Sequence, residues 1–239
     1  MGRINDADVV RTEYATATGL AGRRAAYSSY PTSGSQSLEI ALSSLSEIEP
    51  QRILEVGCGF GDFALTMRNT LIATIVAVDL SPAMVALTRD KGIAAQQADV
   101  QALPFENGAF DAAVAAWMLY HVPDVDQAVR ELHRTLRDGG RLIAITNASD
   151  HLHELRELVG LGRRLQSPFS AENGRQLLLR HFRRVDVHDA GGTIEFPDQA
   201  AVAAYIEASG TLAGARPEVP AFKGSLLATR HPVVFIADK

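Results

Sequence analysis

Five apolar runs alternate with stretches of helical pattern between residues 52 and 147, and nothing else constrains the chain as strongly. They are RILEV (52–56), ATIVAVDL (73–80), IAAQQADV (93–100), AFDAAVAAWML (109–119) and RLIAITN (141–147). Strands that are apolar nearly throughout need cover on both faces, and strands separated by helices pair in parallel. The expected fold is therefore α/β: a Rossmann-like, doubly wound, mostly parallel sheet. Ser81 and Pro82 start one connecting helix and Gly92 stops it. Another is expected over 124–140. Asp124 and Gln127 have capping-box spacing, Val125, Ala128, Val129, Leu132 and Leu136 share one face, and Gly139-Gly140 ends it.

The first strand runs into LEVGCGFG, which places Gly57, Gly59 and Gly61 in five positions. Glycine is costly to order, so it concentrates where the backbone must turn tightly or meet a ligand. Strand, glycine turn and helix make a cradle for a polar ligand at the C-terminal edge of a parallel sheet, and a bare tight turn reads the same way. The spacing is G-x-G-x-G rather than the dinucleotide form G-x-G-x-x-G, which weakens a nicotinamide reading. Asp79 ends the second strand, 22 residues beyond Gly57. A carboxylate at that strand end can accept from ribose hydroxyls or cap the next helix, although Ser81 already offers a cap. Asp99 and Val100 end the third strand over the same sheet edge, in an adenine-reading position or a plain turn.

In combination and in order, these segments resemble the class I S-adenosylmethionine-dependent methyltransferases. The resemblance is to the small-molecule, methyltransferase type 11 branch that includes the ubiquinone/menaquinone-biosynthesis C-methyltransferases. It rests on LEVGCGFG, VDLSPAMV, ADVQALPFENGAFDAAVAAWMLYHVPD and LRDGGRLIAIT, and spans roughly residues 50 to 147. It implies seven strands with an antiparallel last one. It implies S-adenosylmethionine as cofactor, with the backbone of Gly57, Gly59 and Gly61 and the side chain of Glu55 near its methionine half. Asp79 would hold the ribose, Leu80 and Met84 would pack near the adenine, Asp99 and Val100 would read the adenine edge, and Trp117 would flank the methyl group. Cys58 would be a small buried residue of the turn.

The expected reaction is methyl transfer to an O, N or C atom of a small molecule, such as a natural-product intermediate. Alignment and a dry cavity do most of this chemistry, and a base is needed only for a protonated acceptor. His121 is the candidate base and Tyr120 its candidate neighbour, against a structural histidine that bonds a loop carbonyl. Tyr14, Tyr27, Tyr30, His151 and His153 are candidates for touching the acceptor. The histidines with Glu154 could suggest a metal, but residues two apart on a helix do not face one another, so no metal is expected. The arginine pairs at 163–164 and 183–184 suit an acidic acceptor or a partner, or a solvated face.

The organisation expected is a helical lid over 1–50, with helices near 5–20 and 33–48, then the methyltransferase domain over 51–239. Helical substrate-cap additions fall at about 148–180 and 191–224. A net charge of −5 argues against a nucleic-acid partner. No apolar run is long enough to cross a bilayer, and the lone Cys58 rules out an intrachain disulfide. A cytoplasmic monomer or homodimer without membrane partners is expected. Methylation of tRNA, rRNA or protein, and a non-catalytic cofactor-binding subunit, are the alternatives.

Overall fold

The computed structural model describes residues 30, 32–34, 36–209 and 218–239. Ten strands and seven helices are found in that part. The strands are β1 (Thr32–Gly34), β2 (Arg52–Val56), β3 (Thr74–Asp79), β4 (Ala94–Gln97), β5 (Phe110–Ala116), β6 (Leu136–Asn147), β7 (Arg184–Asp189), β8 (Gly192–Phe196), β9 (Leu226–Arg230) and β10 (Pro232–Asp238). The helices are α1 (Ser37–Ser46), α2 (Asp62–Thr70), α3 (Pro82–Asp90), α4 (Val125–Thr135), α5 (His153–Leu158), α6 (Gly174–Leu178) and α7 (Gln199–Ala208).

Seven strands form one sheet in the order β4-β3-β2-β5-β6-β10-β7. β4, β3, β2, β5 and β6 pair in parallel, and β10 enters antiparallel between β6 and β7. Successive side chains of a strand point to opposite faces, so each strand feeds two cores. Leu54, Ala113, Leu142 and Phe235 pack on one face with the Val125, Val129 and Leu132 stripe of α4. Ile53, Ala112, Ile143 and Ile236 pack on the other with Ala41 and Leu45 of α1 and Phe63 and Met67 of α2. The strand order reverses between β2 and β5, which opens a crevice at their C-terminal ends.

Helix starts follow local chemistry. The Ser81 hydroxyl accepts the Met84 N–H, and Pro82 occupies the first turn. Asp124 caps α4 by accepting the Gln127 N–H at 3.0 Å. The expected capping box is only half made: the Gln127 amide donates to the Gln101 carbonyl instead. The α4 pattern also ends earlier than its glycines suggest. The helix stops at Thr135, and β6 begins at Leu136, passing through Gly139 and Gly140. Among the described residues no helix is long and apolar enough to cross a membrane.

A second sheet, antiparallel and ordered β1-β8-β9, was not expected from the sequence. It corrects two expectations. The helix near 33–48 begins only at Ser37, and Thr32–Gly34 is a strand. The segment 191–224 holds β8 as well as helix α7. The expected helix near 5–20 lies outside the described residues. The small sheet has its own core of Ile194, Phe196, Val202, Tyr205, Ile206 and Ala228, joined by Leu155 of α5 and by Leu152 just before it. A single residue, His231, separates β9 in this sheet from β10 in the large one. Its carbonyl accepts the Ala148 N–H, its N–H reaches His151 Nδ1, and its ring bonds Asp150.

Candidate functional site

A cavity of about 720 Å³ lies over the β2–β5 crevice, within the ~300–1,000 Å³ usual for small-molecule sites. Its floor is built where β2, β3, β4 and β5 end. Gly57, Gly59 and Gly61 have φ of 64°, 53° and 74°, the left-handed region that glycine enters without strain. A Cβ on Gly57 would lie 2.7 Å from Met118 Cβ, and one on Gly61 would lie 2.6 Å from Thr88 Oγ1. The turn is therefore bare because neighbouring chain fills the space, in addition to any ligand. Gly57 and Gly59 line the cavity; Gly61 instead starts α2 against Thr88.

The turn is tied to the next strand. Asp79 Oδ2 accepts the Gly59 N–H at 2.9 Å, and Oδ1 accepts the Ser81 N–H at 2.9 Å. Burial raises the Asp79 pKa, and these N–H bonds oppose the rise. A carboxylate offers about four acceptor positions, so these two bonds leave acceptor capacity for a ligand.

Glu55 is 3 % exposed and lines the cavity, and its Oε2 is buried with no hydrogen-bond partner. Burial, reinforced by the Asp79 charge, pushes its pKa up to about 8. A carboxyl in that state is driven to ionise by a cationic or N–H partner brought against it. Cys58 lines the same floor, with Sγ 3.4 Å from Thr88 Oγ1. Burial pushes the thiol up to about 12, which keeps it protonated and inert.

Asp99 is exposed beside the cavity, and Val100 is buried next to it. Asp99 lies beyond β4, which is shorter than its apolar run, and both its oxygens accept from the Gln101 side chain. Gln101 Oε1 in turn accepts the Asp124 N–H, so the loop after β4 is pinned to the start of α4. Leu80 lines the cavity. Met84 does not: it is fully buried on the inner face of α3, whereas the resemblance implied a place near the adenine. Trp117 follows β5 with φ of 52°, an outlier conformation for a bulky residue, and its N–H donates to the Ile145 carbonyl. Strain of this kind concentrates at ligand sites.

Tyr120 and His121 form a one-turn helix at the cavity wall, with their rings 4.5 Å apart. His151 also lines the cavity. Its Nδ1 accepts the His231 N–H at 2.9 Å, and burial, helped by the Arg230 charge, pushes its pKa down to about 3. It is therefore a neutral imidazole with a fixed Nδ1 acceptor. His153 is not on the cavity and stands 3.4 Å from Glu154 Oε2. Tyr30 packs on Phe196 of the small sheet, away from the cavity wall. Tyr14 and Tyr27 lie outside the described residues. No group of three metal-ligating side chains exists among the described residues.

Arg156 and Arg230 also reach the wall, and neither was singled out by sequence. Arg156 is 5 % exposed although it sits in HELREL, a pattern that reads as a solvated helix face.

Comparison with known proteins agrees with this geometry. Residues 54–144 match a family model described as a methyltransferase domain. The chain is 39 % identical over 106 residues to a demethylmenaquinone methyltransferase of Thermus thermophilus, covering 41 % of this chain and 48 % of that protein. It is 34 % identical over 139 residues to a malonyl-[acyl-carrier protein] O-methyltransferase of Pseudescherichia vulneris, covering 57 % and 55 %. The chain thus spans about half the length of the curated relatives it matches. The structure superposes on an S-adenosylmethionine-dependent methyltransferase from Mesorhizobium loti with a TM-score of 0.55 at 19 % identity, covering 85 % of this chain and 98 % of that one. At that identity the likeness establishes the fold.

Proposed function

We propose that this chain, a class I S-adenosylmethionine-dependent methyltransferase by its fold and its matched domain, transfers a methyl group to an O, N or C atom of a small molecule. One observation carries the reading. The glycine turn, the unsatisfied Glu55 oxygen and the carboxylates of Asp79 and Asp99 all converge on one cavity at the switch point of the sheet.

The cofactor supplies a methyl group already activated by a sulfonium charge. The protein's own residues hold it and exclude water. Glu55 Oε2 suits the ammonium of the methionine half, and the Gly57 and Gly59 backbone allows close approach. The remaining acceptor capacity of Asp79 suits the ribose hydroxyls. Asp99, Val100 and Leu80 suit the adenine edge and face. Trp117 borders the transfer position from the end of β5. Precise alignment in such a cavity is worth on the order of 7–11 kcal/mol of barrier.

Tyr120 and His121 stand where an acceptor meets this floor. His121 is assigned as the base for an acceptor that carries a proton, and it serves as a wall otherwise. The likeness to quinone and malonyl-carrier methyltransferases supports a small biosynthetic acceptor. Titration calorimetry with S-adenosylmethionine and S-adenosylhomocysteine tests the reading. Both are expected to bind, and binding of neither overturns it.

A further inference from the structure

The cavity is electrically divided. Glu55 and Asp79 reach it from the ends of the parallel strands, Asp99 from the loop after β4, and Asp62 from the start of α2. Arg156 and Arg230 reach it from α5 and the end of β9, which pack on each other outside that sheet. The acidic floor suits a cationic donor. The donor brings one carboxylate, in the same methionine half whose ammonium suits Glu55, so the two guanidiniums are tested for a further anion with that half already bound.

Arg156 carries the argument. It is 95 % buried by its 5 % exposure. Its Nε donates to the Gly162 carbonyl at 3.2 Å, and its Nη2 to the Leu161 and Arg164 carbonyls at 3.1 and 3.3 Å. These bonds fix the guanidinium plane and use three of its five N–H donors. Nη1 takes no hydrogen bond among the described residues. No carboxylate pairs with Arg156 among the described residues, and burial alone lowers its pKa. A buried charge without a counter-charge is costly, and proteins retain one where a ligand supplies the partner. Arg230 adds a second positive charge on the same wall, close enough to His151 to help hold that ring neutral.

We infer that the acceptor carries an oxyanion, carboxylate or phosphate, and that Arg156 with Arg230 receives it at the α5–β9 side of the cavity. This rests on the methyltransferase reading for the word acceptor. The anion site itself does not depend on it. Arg156 presents a free edge of its fork, the geometry that suits carboxylate and phosphate oxygens.

Protein saturated with S-adenosylhomocysteine is titrated calorimetrically with malonate, with inorganic phosphate and with malonamide, the neutral counterpart of malonate. At least one anion is expected to bind on the order of tenfold more tightly than malonamide. The tighter of the two anions tells carboxylate from phosphate. Arg156→Met is expected to weaken that anion by on the order of tenfold, with Arg156→Lys between, while affinity for S-adenosylhomocysteine stays unchanged. Equal binding of malonate, phosphate and malonamide overturns the proposal, and so does anion binding that Arg156→Met leaves intact. The wild-type comparison decides by itself if the variant does not fold. Failure of S-adenosylhomocysteine to bind would strike the methyltransferase reading alone, and the anion titrations are then judged by the same comparison on the bare protein.

Discussion

Asp79 and Gly59 are joined by a hydrogen bond of 2.9 Å from the glycine N–H to carboxylate Oδ2. The middle glycine of the turn and the end of the neighbouring strand are therefore one mechanical unit. Asp79→Ala removes this bond, the bond to Ser81 and the remaining acceptor capacity. Affinity for S-adenosylhomocysteine is expected to fall by on the order of tenfold to a hundredfold, at ~1.5–3 kcal/mol for bonds to a charged acceptor. Calorimetric affinity checks the first effect. A lower melting temperature of the free protein checks the second, since two part-buried N–H groups lose their partner.

Gly61→Ala should destabilise the protein by about 1–3 kcal/mol, because a methyl group must displace Thr88 from a left-handed turn. Thr88→Ala removes Oγ1 and Cγ2, the two closest atoms, at its own cost of a bond to the Gly59 carbonyl. In the double variant the two costs should fall short of their sum. Denaturant unfolding of the four proteins measures this coupling, and strict additivity would remove the steric account.

The raised Glu55 pKa, about 8, sets a direction for two pH dependences. The folded, ligand-free protein holds the Glu55 proton at pH values where the unfolded chain has lost it. Its contribution to stability is therefore full below about pH 4.5 and is lost as pH rises through about 8. A ligand ammonium beside Glu55 favours the ionised form, so binding of S-adenosylhomocysteine should release a proton between those limits and tighten as pH rises. Calorimetry in buffers of different ionisation enthalpy counts that proton. Glu55→Gln should abolish the release and flatten both profiles.

Trp117 is the single tryptophan of the chain and lies on the cavity wall. Its emission should change in intensity or wavelength when S-adenosylhomocysteine binds, without any label. An unchanged spectrum at saturation would place the ligand away from the end of β5.

What the sequence revealed follows from where each element gets its stability. The central strands, the Gly57 and Gly59 turn and the strand-end Asp79 were legible because apolar runs and glycine turns carry their own local chemistry, whereas Glu55 was named only through the family resemblance. Cys58 read correctly as a small buried residue for the same reason. Met84 was named only through the family resemblance, and its helix turns it into the core. β1, β8 and β9 were not legible because segments as short as TSG and LLATR become strands only by pairing with one another. Arg156 was hidden for a related reason. Its burial depends on a loop with Gly160 and Gly162 at φ of 73° and 72° that folds its carbonyls back over the helix. No local pattern announces that closure.

The one-residue corner at His231 bears on how an acceptor gets in. β9 belongs to the wall that carries Arg230, and β10 is locked between β6 and β7 in the large sheet. With the corner bonded to Ala148, Asp150 and His151, the wall is anchored like the fixed jamb of a doorway. On the anion-site proposal, the charge that meets an acidic acceptor is held at one position relative to the sheet by that corner.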